Sequence, residues 1–216
     1  MQRIEIIVRQ ARCGRTCGLR IGCCCQSTRA LWHAVADLPT ARVHCAMLVV
    51  VSGLPGVGKT TVARALARAT GAVHLRIDSI EQALRNAGHR VEAEGYGVAH
   101  AVAEDNLRLG RLVVADSVNP WPLTRLEWRS VADRAGVVMV DVEIVCSDLE
   151  EHRRRVEFRE PDIEGHTLPT WSDVTQRDYR AWDRERLVID TARSSPEGCV
   201  QTILSVLFSD REDEAS

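Results

Sequence analysis

The chain has 216 residues, 45% of them hydrophobic, with a formal charge of −2. That length supports one good core and leaves a second independent domain cramped, so a single catalytic-size domain is the default. The charge is uneven: residues 1–46 hold seven arginines against Glu5 and Asp37, or +5, which leaves −7 for residues 47–216 and disfavours nonspecific nucleic-acid binding.

Residues 1–46 carry no clear period. Ile4 to Val8 suits a short strand, but Arg12 to Arg29 mixes Arg, Gly and Cys without helical or strand spacing, and no fold is assigned to it. Six of the eight cysteines (Cys13, Cys17, Cys23, Cys24, Cys25 and Cys45) fall here, so there is no disulfide framework for the rest of the chain. Their CxxxC and CCC spacings lack the paired CxxC of zinc knuckles. Met47 stands directly before the first apolar run. The expectation is that the biological chain starts there and residues 1–46 are a start-site extension, with an arginine-rich targeting segment and a Cys-rich metal site as alternatives. No apolar stretch nears the roughly 20 residues that span a bilayer, and a reducing, cytoplasmic setting with no membrane partner is expected.

From Met47 onward apolar runs alternate with amphipathic ones. The pattern predicts strand 47–52, helix 59–69, strand 72–77, helices 79–87 and 92–109, and strand 111–116. Helix 121–135, strand 137–145, helices 148–160 and 171–182, strand 186–190 and helix 196–208 follow, before an acidic tail over 210–216. Repeated strand–helix crossovers imply an α/β fold with a parallel sheet covered on both faces. Punctuation supports several boundaries: Gly71 after the first helix, Ser147 with Glu150 as a capping box, Pro161 as a stop and Ser195-Pro196 as cap and first position.

Between the first strand and helix lies Gly53-Leu54-Pro55-Gly56-Val57-Gly58-Lys59-Thr60-Thr61, which fits GxxxxGKT in the strand–loop–helix order that a phosphate-binding loop requires. Lys59 is the only lysine in the chain, against 27 arginines. A phosphate cradle with no room for a planar guanidinium is one place where the two cations cannot be exchanged. The glycines turn backbone amides onto phosphates, Lys59 reaches the β- and γ-phosphates, and the Thr60 hydroxyl holds magnesium.

Ligands of a parallel α/β sheet gather at the carboxyl ends of its strands. The second predicted strand ends at Asp78 and the third at Asp116. Asp116 suits the carboxylate that orders a magnesium shell, or else a strand-end group bonding local amides; the following residue is Ser117 rather than a water-activating glutamate, which favours transfer to an acceptor over hydrolysis. Asp78 could orient or deprotonate an acceptor hydroxyl, while Asp78-Ser79-Ile80-Glu81 also reads as a helix cap. Arg155 and Arg159 sit one helical turn apart, and an anion between them would relieve their repulsion. The bland alternative is a solvated face with Glu150–Arg154 and Glu151–Arg155 pairs. Pro161, Gly165 and Pro169 suit a hinged flap. Asn119 to Pro122 and Arg125 line an acceptor pocket or, in a duller account, Asn119 caps a helix. Tyr96, Trp128, Trp171 and Trp182 read as core.

With the loop, Asp78, Asp116 and Arg155-Val156-Glu157-Phe158-Arg159 in this order, residues 47–207 resemble the P-loop kinases of the AAA-type group related to polynucleotide 5′-hydroxyl kinases, chloramphenicol phosphotransferases and zeta toxins. The resemblance implies a P-loop NTPase, a three-layer sandwich with sheet order 2-3-1-4-5, and a helical lid over about 148–183 presenting Arg155 and Arg159. It also implies an ATP–magnesium donor, Asp78 facing the acceptor, and adenine beside Asp190 to Arg193. GTP is disfavoured, since no NKxD motif occurs. The expected activity is phosphoryl transfer to a small-molecule hydroxyl. Rivals are a polynucleotide 5′-hydroxyl kinase, for which the acidic core offers little, a nucleotide-gated binding protein, and a non-kinase ATPase. Acceptor identity and oligomeric state are not legible.

Overall fold

A computed structural model describes residues 46–208. The expectations placed on residues 1–45 and on the tail over 210–216 lie outside the described residues.

Five strands form one sheet: β1 (Met47–Ser52), β2 (Val73–Arg76), β3 (Leu112–Asp116), β4 (Val138–Val145) and β5 (Leu187–Asp190). Their order is β2-β3-β1-β4-β5 and every pairing is parallel, as expected. The helices are α1 (Lys59–Thr70), α2 (Ile77–Asn86), α3 (Glu94–Arg108), α4 (Pro122–Ala135), α5 (Leu149–Phe158), α6 (Trp171–Thr175) and α7 (Pro196–Phe208). β1 is a continuous apolar run because both of its faces are covered. Met47, Val49 and Val51 pack with Val62, Ala63 and Leu66 of α1 and with Ile203 and Leu207 of α7. Leu48 and Val50 face the other way, toward Ala99, Ala103 and Leu107 of α3 and Trp128 and Val131 of α4. Three layers result.

The described elements match the expected ones to within two or three residues, with a few instructive departures. The helix expected over 171–182 is the single turn α6. Thr170 and Asp173 start it with a reciprocal capping box, but tertiary bonds then hold the chain out of helix. The Arg180 amide donates to Pro120 O at 2.8 Å, and the Arg125 guanidinium takes the carbonyls of Arg180 and Ala181. α5 ends at Phe158, with Arg159 in extended backbone (φ −73°, ψ 142°) two residues before Pro161. Its cap is Asp148, which accepts from the amides of Glu150 and Glu151, and not Ser147, whose hydroxyl donates to Asp190. α2 starts two residues early: Arg76 is its cap residue and Asp78 lies inside the first turn, so the capping account of Asp78 does not hold.

Candidate active site

The carboxyl ends of β1, β2 and β3, the amino end of α1 and the segment from α5 through Arg177 enclose a cleft of about 1400 Å³. That exceeds the roughly 300–1,000 Å³ that hold one drug-sized ligand, so there is room for two reactants.

The loop from Gly53 to Thr61 is built as its spacing predicts. Gly56 (φ 84°) and Gly58 (φ 98°) occupy left-handed backbone. A Cβ on Gly56 would also come within 2.4 Å of Val156 Cγ2 in α5. Lys59 is 9% exposed and its ammonium donates to Leu54 O at 2.9 Å. Burial lowers its pKa, and the negative charges of Asp116 and Asp78 pull the other way. No side chain caps α1, whose amino end begins at Lys59, which leaves its first N–H groups for a ligand.

Asp116 ends β3 at 2% exposure, below the cleft wall, and its Oδ2 has no hydrogen-bond partner. His74 Nε2 approaches it to 3.4 Å without a bond. An orphaned buried carboxylate oxygen close enough to Lys59 to act on its charge, with Thr60 on the cleft wall, suits a magnesium ion held directly or through water. The nucleotide and its metal therefore fit the residues present.

Asp78 lines the cleft from α2, half-buried, with Arg76 Nη2 3.7 Å from its carboxylate. Arg155 and Arg159 both reach the cleft, though not from one helical face, since Arg159 has left the helix. Arg155 is held by Glu151 at 2.8 Å, the pair the sequence offered, and by the Thr191 hydroxyl at 2.9 Å; Arg154 pairs with Glu151 and not with Glu150. Thr191 Oγ1 in turn donates to Val57 O at 2.7 Å, so lid, phosphate loop and the segment after β5 meet at one hydroxyl. His152 of α5 bonds Pro55 O at 2.8 Å from the other side. Beyond α5, Asp162 bridges Arg64 and Arg76, each at 2.8 Å, and that pairing holds its carboxyl down at about 2.

Some expected lining residues sit elsewhere. Asn119 neither caps a helix nor lines the cleft: it is fully buried with φ 48°, donates to Ser52 Oγ and accepts from Trp128 Nε1. Arg125 is also fully buried, bound to carbonyl oxygens and stacked 4.1 Å from the Trp182 ring. Pro120 and Trp121 do line the cleft, and so does Tyr96, which also packs against the core as the pattern predicts. Of the segment expected beside adenine, Thr191 is on the wall, joined by Ser194 to Pro196, while the Asp190 carboxylate is consumed by Ser147 and the Ala192 amide. The arginines missed outright, Arg64, Arg76, Arg85 and Arg177, come from four places in the chain; only Arg76, two residues before Asp78, lay close to a recognisable feature.

A parallel sheet of this order, with a lysine-bearing glycine loop at the amino end of the helix after β1, defines a P-loop NTPase of the kinase type. Residues 48–182 match the AAA domain family, and the chain belongs to it. Among solved structures, APE1195 is 22% identical with a TM-score of 0.60, over 79% of this chain and 99% of that one. APS kinase CysC of Mycobacterium tuberculosis, in complex with AMPPNP and APS, is 20% identical with a TM-score of 0.57, over 76% and 98%. A gluconokinase from Sinorhizobium meliloti 1021 is 20% identical with a TM-score of 0.56, over 81% and 99%. These likenesses establish the fold. No curated protein sequence matches the chain. Among the described residues, no helix is long and apolar enough to cross a membrane.

Proposed function

We propose that the protein is an ATP-dependent phosphotransferase that moves the γ-phosphoryl group to a hydroxyl of a small molecule. The observation that carries this reading is a single cleft, large enough for two ligands, onto which Lys59, Asp78, Arg155 and Arg159 all open. The structural likeness to kinases of small molecules, including one solved with AMPPNP, supports it.

Gly53, Leu54, Pro55, Gly56, Val57 and Gly58 wrap the donor phosphates, and Lys59 with Thr60, Thr61 and the α1 amino end balances their charge. Thr60 and Asp116 would hold magnesium, which would supply charge neutralisation to the donor phosphates. Asp78 orients the acceptor hydroxyl and takes its proton as the new O–P bond forms and the bond to the leaving nucleotide diphosphate breaks. Arg155 and Arg159 offset charge on the transferring group, and the lid excludes water as an acceptor.

Lys59→Met is expected to lower turnover by roughly 100- to 1000-fold, the range for losing one preorganised stabilising group. Lys59→Arg is expected to be nearly as damaging, because a planar guanidinium does not reproduce a compact ammonium in a buried phosphate cradle. A labelled-ATP screen of small-molecule acceptors on wild type, both lysine variants and Asp78→Asn measures this; wild-type turnover in either lysine variant would overturn the loop assignment. A nucleotide-gated binding protein would instead bind ATP through Lys59, form no phosphorylated product and tolerate Asp78→Asn. Full phosphate release without any acceptor would mark an ATPase.

A further inference from the structure

The domain is acidic, yet its cleft is not. Lys59 and seven arginines line it against Asp78, Glu81, Asp162 and Asp173, a surplus of four positive charges inside a region, residues 47–216, that totals −7. A magnesium–ATP pair carries about −2. Counting the buried Asp116 and Glu151, the partner of Arg154 and Arg155, the cleft comes close to balance once the donor is bound, so what matters is where its unpaired cations sit.

Ion pairing shows which cleft cations have no partner. Arg64 and Arg76 share Asp162, Arg85 pairs with Glu81, and Arg154 and Arg155 share Glu151. Three cleft cations have no such pair among the described residues: Lys59, Arg159 and Arg177. The first two serve the donor in the reading above. Arg177 is exposed, follows α6, and stands close enough to Lys59 for its charge to bear on the ammonium. Two further donors point the same way: the Nε groups of Arg76 and Arg159 are buried with no hydrogen-bond partner, and the charge of Asp78 bears on both guanidinium groups. Buried N–H donors without partners are uncommon in finished protein and are satisfied by a ligand or water. The cleft lining also offers apolar surface from Ile77, Tyr96, Val118, Pro120 and Trp121, suited to a compact carbon skeleton.

We infer that the acceptor is a small organic anion, a hydroxylated carboxylate, phosphate or sulfate ester, whose charged group is held by Arg177 with the free Nε donor of Arg76 while Asp78 addresses its hydroxyl. This rests on the kinase reading for the hydroxyl and on the unpaired cation and free donor alone for the anion, so the two fail separately. Arg177 is a specificity residue: it discriminates acceptors by charge and takes no part in the proton transfer.

The first experiment needs no knowledge of the acceptor. With magnesium–AMPPNP filling the donor side, inorganic sulfate is titrated calorimetrically; one site with a dissociation constant on the order of 1 mM, about −4 kcal/mol, is expected. Arg177→Gln is expected to weaken it at least tenfold, with Arg177→Lys restoring part of the loss and thermal unfolding unchanged. No sulfate binding to the loaded protein, or binding indifferent to Arg177, overturns the inference and leaves the kinase reading intact.

The second compares phosphorylation of matched probes: gluconate with glucitol, glucose 6-phosphate with glucose, glycerol 3-phosphate with glycerol, and an oligonucleotide with a free 5′-hydroxyl. The anionic member of each pair is expected to have the higher kcat/KM, and Arg177→Gln to erase that preference through the acceptor KM. Preference for the neutral members overturns the inference. An equal loss for both members would place Arg177 on the donor phosphates, and dominance of the oligonucleotide would replace the small acceptor by a nucleic-acid end. If no probe yields product while sulfate binds as expected, the kinase reading fails and the anion subsite stands.

Discussion

Asp141 shows how far one side chain can stand from its preferred surroundings. It lies in the middle of β4, 4% exposed, and neither carboxyl oxygen has a hydrogen-bond partner; the nearest cation is Arg129, at 3.7 Å. Burial raises its pKa to about 6, with Arg129, Arg184 and Arg125 opposing the rise. A carboxyl whose folded pKa exceeds its unfolded value of 3.8 costs nothing below about pH 4, where both states are protonated, and loses stability as pH climbs from about 4 to about 6, above which the loss is complete. Asp141→Asn is therefore expected to add about 1–2 kcal/mol to the unfolding free energy at pH 7.5 and to make no difference near pH 4. Urea denaturation at the two pH values checks it, and an equal gain at both would assign the effect to packing instead.

Among elements, the segment from Gln176 to Arg186 is the one that local sequence least explains. It is anchored from outside: Arg125 of α4 binds the carbonyls of Arg180 and Ala181 and stacks on Trp182, while Glu143 of β4 accepts from Tyr179 and Arg186. Removing a fully buried donor of several hydrogen bonds leaves its carbonyl partners unsatisfied, so Arg125→Ala is expected to cost about 2–4 kcal/mol. The effect should be concentrated locally, with hydrogen exchange rising over 176–186 before the sheet responds; uniform loss of protection would make Arg125 a global core residue instead. Sequence pattern alone reads this stretch as helix because residues 171–182 have no breaker, and the bonds that cancel the helix come from residues 36 to 60 positions away in the chain. The phosphate loop and β1–β5 were legible because their signals are local: a glycine spacing, a lone lysine, unbroken apolar runs. Asn119 and Arg125 were misread because nothing local tells a polar residue near a strand end that it will be sealed inside.

Across the whole molecule, the sequence shows a surplus of negative charge after residue 46, and only the folded arrangement reveals that arginines from α1, β2, α2, α5 and the turn after α6 converge on one cleft. Loop, lid and the segment after β5 also meet there, through Thr191, His152 and Asp162, so movement of one is felt by the others. Lys59 sits at that junction, largely buried, its ammonium made easier to deprotonate by its surroundings. Because no other lysine exists, an amine-acylating reagent has, apart from the amino terminus, one place to react. Modification is expected to reach one side-chain adduct per chain, on the peptide containing Lys59, and to be blocked by ATP; peptide mass mapping with and without nucleotide reads this out, and a nucleotide-insensitive adduct would detach the lysine from the donor. A chain so economical in amines reports occupancy of its own active centre by a single mass shift.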